Sequence, residues 1–361
     1  MKLLDRYMIS ELGGPFLFGL AAFTLLFVAG ELLNVARLVS EEHASLLAAA
    51  KYFVYTLPQT LVLTFPMSML LSVLLSMSRL SGDSEITGMR AGGISLYRIA
   101  APVATVGFLA SLIGLGFQEF VVPGATARAN QILQSEIQSG AVNILQNEVV
   151  RSVLPNNDMQ VTYAQGFDTT TQQLEEITVQ VYRGDTLLSL LVAPRARYQN
   201  STWVLHDAIS YRLAPVCCTV GSLPNTSVNL GASPTQLIES SKRPEDLNRI
   251  QLRPLLKMAR QTHDTSRYAL LLVTYDSKLA RPFASLVFTL LAIPLGIRRQ
   301  RSTSSAGFGI CIAIVFAFYV TTTICLAIGR TTPELSLVMA WLPNIVFSAA
   351  GIWLLQLAAK V

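Results

Sequence analysis

LPQTLVLTFPMSMLLSVLLSM, residues 57–77, contains no Asp, Glu, Lys or Arg. About 20 apolar residues in a helix cross roughly 30 Å of hydrocarbon, so this stretch predicts a transmembrane helix. A second block without charges runs from about Gly13 to Gly30. Asp5 and Glu11 precede it and no convincing small-residue cleavage site follows. We therefore interpret it as a membrane helix rather than a cleavable signal peptide.

Four further apolar blocks bring the predicted number of spans to six. The third runs from Ile99 to Val122 with Glu119 near its end, the fifth from Ala306 to Ile328 and the sixth from Leu335 to Ala359. The fourth has a short apolar core, Pro282 to Ile297, so we expect its helix to begin near Tyr268. It then carries Asp276, Lys278 and Arg281 in its first half. Only 14% of the 361 residues are charged, against about a quarter in soluble chains, which agrees with a membrane protein.

The distribution of basic residues predicts the orientation, because short cytoplasmic loops hold an excess of Lys and Arg. With the N-terminus inside, the cytoplasmic segments hold Lys2, Arg6, Arg79, Arg90, Arg98, Arg298, Arg299, Arg301 and Lys360. The short outer loops hold Arg37, Lys51 and Arg330. We expect both termini to be cytoplasmic and the long central segment to be outside. The net charge of +5 then reflects topology and not nucleic-acid binding.

The central segment changes from apolar blocks to alternation. Ile177, Val179 and Val181 alternate with polar neighbours, which is the pattern of a half-buried strand. Further strands are predicted over Leu187 to Val192 and at Trp203, Leu205, Ile209, Tyr211 and Leu213. An antiparallel β domain follows, and its second face either packs as core or leaves a hydrophobic groove for an apolar ligand. Pro254 is expected in the first turn of a helix that leads back to the membrane.

Cysteine and histidine usage predicts no metal site, since the three His and four Cys show no ligand spacing. Cys311 and Cys325 lie in the fifth span and are expected to be buried apolar residues. Cys217 and Cys218 are adjacent, and a disulfide between neighbours is strained and rare, so their state stays open.

The segment between spans two and three is RLSGDSEITGMRAGGISLYRI, residues 79–99. Asp83 and Ser84 are suited to N-cap a helix, and Gly92 and Gly93 to end it before Ser95 caps the third span. We expect a helix of about nine residues at about 83–91. A helix this short is marginal alone, so it either docks on a cytoplasmic partner or is a solvated connector.

Several catalytic motifs are absent. The sequence contains no GxxxxGK[ST] phosphate loop, no GxSxG elbow and no HExxH pair. Any ATP-driven function therefore requires a second protein.

Three stretches resemble the lipopolysaccharide-export permease family, the LptF/LptG (YjgP/YjgQ) proteins. They are LLDRYMISELGGPF (3–16), residues 57–99, and SRYALLLVTYDSKLARPFASLVFTLLAIPLGIRRQR (266–301) with WLPN at Trp341 to Asn344. The resemblance implies an α-helical inner-membrane protein with six transmembrane helices and an inserted periplasmic, jellyroll-like antiparallel β domain. The implied division is 1–122 for the first three spans, 123–266 for the β domain with its linkers, and 267–361 for the last three spans.

The resemblance also implies a mechanism and partners. These are a paralogous permease, a cytoplasmic ABC ATPase dimer, a periplasmic β-jellyroll lipid-bridge protein and lipopolysaccharide or a related glycolipid. No cofactor is expected in this chain, since ATP and Mg would be held by the ATPase. The segment that couples to the ATPase would comprise Glu85, Met89, Arg90 and Gly92.

Lipid contact in the family uses basic side chains near the outer end of span one. Here Arg37 is the basic residue close by, with Glu31 on a nearby turn. Lys278 and Arg281 are alternative contacts, because intramembrane charges are costly and usually functional. They could instead snorkel to the interface or pair with Asp276.

Two other function classes compete with transport. A membrane scaffold that tethers an envelope complex through its β domain would need no nucleotide-dependent partner. An ion-coupled secondary transporter is disfavoured, because the spans show no midplane chain of Asp, Glu or His.

Overall fold

The computed structural model describes residues 3–41, 44–133, 144–154, 156, 158–168, 173–184, 186–199, 202–213, 219–228, 230, 244–261, 264–297 and 304–360. Cys217 and Cys218 lie outside these ranges. The chain divides into two compact units, Met1–Asn130 with Leu272–Val361, and Gln131–Leu271.

The helices are numbered here in chain order. They are α1 Leu3–Glu41, α2 Leu46–Gly82, α3 Glu85–Ala91, α4 Leu96–Gly116, α5 Val122–Ile132, α6 Arg249–Gln261, α7 Thr265–Ala280, α8 Ala284–Ile297, α9 Ser304–Thr331 and α10 Ser336–Lys360. A π-helical turn, Phe117–Val121, joins α4 to α5, and 3₁₀ turns at Arg281–Phe283 and Pro333–Leu335 precede α8 and α10.

The prediction of six membrane spans is confirmed. Within the described residues, six helical stretches are long and apolar enough to cross a membrane. They are α1, α2, α4 with α5, α7 with α8, the part of α9 from Gly309 to Thr331, and α10 with the turn before it.

The helices run beyond the predicted apolar blocks. The 39 residues of α1 span about 58 Å at 1.5 Å per residue, almost twice the hydrocarbon thickness. Hydropathy identifies only the uncharged middle, Gly13 to Gly30. The polar ends continue as helix because the backbone ladder and the packing on α2 continue past it.

The helix before span four begins earlier than predicted. Pro254 is expected in the first turn, but α6 starts at Arg249. Asn248 and Gln251 form a reciprocal capping box, in which the Asn248 Oδ1 accepts the Gln251 N–H at 2.8 Å and the Gln251 Oε1 accepts the Asn248 N–H at 3.1 Å. This cap determines the start of the helix, so Pro254 lies in its interior.

A ladder of hydroxyl groups on α2 holds α1. Ser76 Oγ donates to the Glu11 carbonyl at 2.9 Å, and Ser72 Oγ donates to the Leu12 carbonyl at 2.8 Å. Pro15 has no N–H to donate to Glu11, four residues earlier, so Ser76 satisfies a carbonyl that the proline leaves free. Both serines are nearly fully buried. The contact therefore offsets the cost of a proline inside a membrane helix.

The helical core centres on α2 and α8. Leu70, Leu74, Phe288 and Ile293 are 0–2% exposed within one hydrophobic cluster. Cys311 and Cys325 are buried, as predicted.

The inserted domain contains a six-stranded antiparallel sheet in the order β1 to β6, which confirms the predicted β domain. The strands are β1 Ile144–Val153, β2 Met159–Asp168, β3 Gln173–Arg183, β4 Thr186–Gln199, β5 Thr202–Arg212 and β6 Thr219–Val228. Each strand pairs with its neighbours in sequence, so the connectivity of these strands is an up-and-down meander. Its core contains Trp203, Leu205 and Ile177.

A crease crosses the sheet and changes which face is buried. Strand alternation predicts Leu205 and Ile209 on one face, but the buried residues are Leu205 and Ala208, three apart. The same spacing occurs at Leu174 and Ile177, and at Ala193 and Ala196. The crease passes through Glu176 and Asp207, both with positive φ, and through Pro194 and Pro224. Proline cannot donate to the ladder, so the strand pairing is interrupted along this line, while the register of the strands is the same on both sides of it.

The crease leaves part of the second face open. Tyr163, Val192 and Ile209 lie in one row across β2, β4 and β5, connected through Thr178 of β3. Their side chains are 36–40% exposed. The described part of the domain thus has both a packed core and an accessible apolar row.

A carboxylate–guanidinium pair ties the β1–β2 turn to the end of β3. Arg183 Nε and one terminal nitrogen donate to the two Asp158 oxygens at 2.8 and 2.9 Å. The Arg183 guanidinium holds the pKa of Asp158 below its ordinary value. Because the pKa is lowered, the ion pair stabilises the folded β domain above about pH 4. This contribution is lost as the pH falls through the lowered pKa of Asp158.

Asp158→Asn is therefore expected to lower the stability of the β domain at pH 7 and to flatten its acid dependence below about pH 4. Trp203, 1% exposed, reports unfolding when Trp341 and Trp353 are replaced by Phe. Denaturant titration at pH 7 and pH 3.5 measures both effects. If Asp158→Asn has the same dependence of stability on pH as the wild type, the Asp158–Arg183 pair does not stabilise the domain. Asp246→Asn is the charge-matched control.

Candidate functional site

The helix between spans two and three is α3, seven residues from Glu85 to Ala91. The prediction that Asp83 or Ser84 caps it through a side chain is wrong. Because α2 continues to Gly82, Asp83 ends that helix, and its N–H donates to the Arg79 carbonyl at 2.9 Å. Ser84 then has a left-handed backbone, φ 61°, and makes no side-chain cap. Asp83 and Ser84 alone separate the two helices, and neither has the extended backbone of a usual cap residue.

The end of α3 follows the prediction from its glycines. Gly93, with φ 85°, donates its N–H to the Arg90 carbonyl at 2.9 Å, and Ile94 donates to the Met89 carbonyl at 3.1 Å. These two bonds define a Schellman motif. The motif requires a left-handed backbone conformation at Gly93, which glycine adopts without strain. Ser95 then caps α4 by accepting the Arg98 N–H at 3.4 Å, as predicted.

The apolar face of α3 is covered by the chain itself. Ile86 is 2% exposed in the core of the helical unit, and Met89 packs half-buried against the same core. The opposite face, Thr87, Gly88 and Ala91, is exposed. A helix too short to be stable alone is thus held by its own protein, and a face of small residues stays accessible.

Glu85 begins α3 and is held by α1. The Tyr7 hydroxyl donates to Glu85 Oε2 at 2.6 Å, and both residues are half-buried. Arg90 is half-buried and Gly92 is exposed. Of the four residues predicted for coupling, three therefore lie on α3 and Gly92 is its C-cap, and Glu85 is held by Tyr7 of α1.

Two ion pairs flank the Tyr7–Glu85 contact. Arg98 of α4 contacts Asp5 at 2.6 Å, and Arg79 of α2 contacts Glu11. We call these three contacts, Asp5–Arg98, Tyr7–Glu85 and Glu11–Arg79, the clasp. Sequence reasoning missed it, although acidic residues ahead of span one and arginines in the next loop were an available signal.

The residues predicted to contact lipid occupy different environments. Arg37 is exposed and lies 3.8 Å from Glu41, whereas Glu31 accepts a hydrogen bond from Asn34 at 3.3 Å. Arg281 lies exposed in the 3₁₀ turn. Lys278 is 2% exposed, so it does not snorkel to the protein surface. Arg37 and Arg281 are thus accessible, and Lys278 is enclosed by protein.

The break in span four is stabilised by two other spans. Asn344 Nδ2 of α10 donates to the Ala280 carbonyl at 2.8 Å, where α7 ends. The Leu286 N–H, in the first turn of α8, donates to Ser111 Oγ of α4 at 3.1 Å. Backbone groups left free at a helix break are costly in an apolar environment. Asn344 belongs to the WLPN stretch, but the sequence does not indicate its partner.

The architecture defines a multi-pass membrane protein with a β domain inserted between its third and fourth spans. Comparison with known families gives a match to "Lipopolysaccharide export system permease LptF/LptG" over residues 6–357. The chain therefore belongs to the LptF/LptG permease family. It is 24% identical over 373 residues to the lipopolysaccharide export system permease protein LptG of Haemophilus influenzae, an alignment that covers 98% of each chain. As a family member it is an inner-membrane transporter component of lipopolysaccharide export.

Proposed function

We propose that this permease subunit pairs with a paralogous permease and that a cytoplasmic ABC ATPase dimer drives both. The pair extracts lipopolysaccharide, or a related glycolipid, from the outer leaflet of the inner membrane and passes it to a periplasmic β-jellyroll bridge. The observation that carries the proposal is the architecture of α3. A buried Ile86 anchors the helix, Glu85 is fixed at its start, and the Thr87–Gly88–Ala91 face is open.

The proposed orientation places both termini and α3 in the cytoplasm and the β domain in the periplasm. The excess of Lys and Arg in the loops on the side of α3 supports it. The chain has no phosphate loop of its own, so the energy must enter through a partner, and α3 is the element proposed to receive it.

The proposed lipid path uses surfaces that are accessible in each unit. Arg37 and Arg281 are proposed to contact acidic groups of the lipid, with Glu31 nearby on α1. Lys278, being enclosed, is proposed to support the Arg281 turn. In the β domain, the open row of Tyr163, Val192 and Ile209 offers apolar surface to the acyl chains.

The test is co-purification in detergent followed by native mass spectrometry of wild type and Glu85→Ala. The wild type is expected to retain the ATPase, the paralogous permease and bound lipid. Loss of a charged hydrogen-bonding group costs about 1.5–3 kcal/mol, so Glu85→Ala is expected to weaken ATPase association about ten- to hundred-fold. Glu334→Gln, an exposed carboxylate outside α3, is the control.

Two outcomes would contradict the proposal. If Glu85→Ala retains the ATPase and exports lipid at wild-type levels, the coupling role proposed for α3 is wrong. Recovery of the wild-type protein without ATPase, paralogue or lipid would favour the scaffold function instead.

A further inference from the structure

The contact between Tyr7 and Glu85 joins residues 78 positions apart. Its O···O distance of 2.6 Å is in the short range of charge-assisted hydrogen bonds between a hydroxyl and a carboxylate. The Tyr7 side chain packs against the core of the helical unit, and the next residue, Met8, is fully buried in that core. The phenol is therefore a fixed donor rather than a mobile surface group.

The carboxylate of Glu85 has two oxygens, and Tyr7 occupies one of them. In the part of the chain that the structure describes, no second donor contacts the other oxygen. A glutamate side chain normally samples several rotamers, and a hydrogen bond to one oxygen restricts them. The second oxygen is thereby held in a defined direction, available to a donor on a partner.

The rest of the clasp connects α1 to both neighbours of α3. Asp5 pairs with Arg98 at the start of α4, and Glu11 pairs with Arg79 at the end of α2. The Glu11 carbonyl also accepts the Ser76 hydroxyl. The first three turns of α1 are thus attached to α3 itself and to the helices on either side of it.

We infer that Tyr7 is a positioning residue for Glu85, and that the clasp passes displacement of α3 directly to α1. The inference rests on the proposed function, because it assumes that a partner acts on α3. Through Tyr7 and Glu85 the clasp joins α3 to α1, the span that carries Arg37 near its opposite end. Movement of α3 by an ATPase therefore moves a helix with a proposed lipid contact.

The experiment uses the full permease–ATPase complex in proteoliposomes of phosphatidylethanolamine and phosphatidylglycerol that contain lipopolysaccharide. Variants are Tyr7→Phe, Glu85→Gln and the double variant. Tyr97→Phe is the matched control, because Tyr97 is 51% exposed at the start of α4 and makes no hydroxyl contact among the described residues. Readouts are ATPase retained, ATP hydrolysed, lipopolysaccharide released per ATP and the thermal midpoint.

Tyr7→Phe is expected to keep the wild-type thermal midpoint and to reduce lipopolysaccharide released per ATP at least fivefold. In the Glu85→Gln background it should add a smaller loss than in the wild type, because the substituted side chain still accepts the Tyr7 hydroxyl but has no carboxylate charge to be held in place. Wild-type release per ATP by Tyr7→Phe, or losses that multiply in the double variant, would overturn the inference.

Other results of the same experiment would contradict the proposed function itself. If Glu85→Gln retains wild-type ATPase binding and release, the coupling assignment is wrong and the inference falls with it. If Glu85→Gln is impaired while Tyr7→Phe and Tyr97→Phe both behave as wild type, the inference alone is wrong.

Discussion

Gly351→Ala is expected to disrupt the contact between α8 and α10 and to reduce the yield of folded protein severely. A Cβ at position 351 would lie 2.9 Å from the Leu290 carbonyl carbon and 3.0 Å from its oxygen. Both atoms belong to the backbone of α8, so no rotamer change can relieve the contact. The two helices must separate, and overpacking of this kind costs about 1–3 kcal/mol or more.

The sequence around Leu290 explains why the helices approach so closely. Pro294 has no N–H, so the Leu290 carbonyl lacks its usual helical donor. Gly351 presents no side chain and allows α10 to cover this backbone. The close approach therefore belongs to a specific pair of residues and not to glycine content in general.

Size-exclusion chromatography in detergent and the thermal midpoint test the Gly351 prediction. Gly309→Ala, in α9, is the matched control, because a Cβ at position 309 would have no atom of the described residues within 4 Å and alanine favours helix. Equal midpoints for the two variants would show that α8 and α10 tolerate the extra atom.

Asn344→Leu is the second substitution with a large expected effect. Asn344 is 6% exposed, and its loss leaves the Ala280 carbonyl without this donor at the break in span four. Interhelical hydrogen bonds in membranes contribute about 0.6–2 kcal/mol. For a chain of 361 residues we expect the midpoint to fall by about 1–3 °C. Because Arg281 lies in the same break, lipid export should fall as well.

The control for Asn344 is Thr321→Val. The Thr321 hydroxyl donates to the Ala317 carbonyl of its own helix at 2.8 Å and is exposed, so its removal should be nearly neutral. Ser111→Ala, which removes the acceptor of the Leu286 N–H, should reproduce part of the Asn344 effect. A wild-type midpoint and wild-type export in Asn344→Leu would mean that the break needs no support from α10.

Local signals predicted much of the molecule. The uncharged block at 57–77 indicated a span, and the Gly92–Gly93 pair and Ser95 indicated the end of α3 and the start of α4. These predictions succeeded because the desolvation of a helix and the capping of its ends depend on residues within a few positions of each other. The predicted start of α6 at Pro254 failed because a stronger local signal, the Asn248–Gln251 box, was passed over.

The sequence by itself determined the six spans, the inserted antiparallel domain and the short helix with Glu85. Tertiary structure decided that Tyr7 holds Glu85, that Asn344 supports the break near Ala280, and that Lys278 is enclosed by protein. It also placed Ile209 on the open face, through a crease at Pro194 and Asp207. The physical reason is distance along the chain. Tyr7 and Glu85 are 78 residues apart and Asn344 and Ala280 are 64 apart, so these pairs form only once packing has made their helices neighbours.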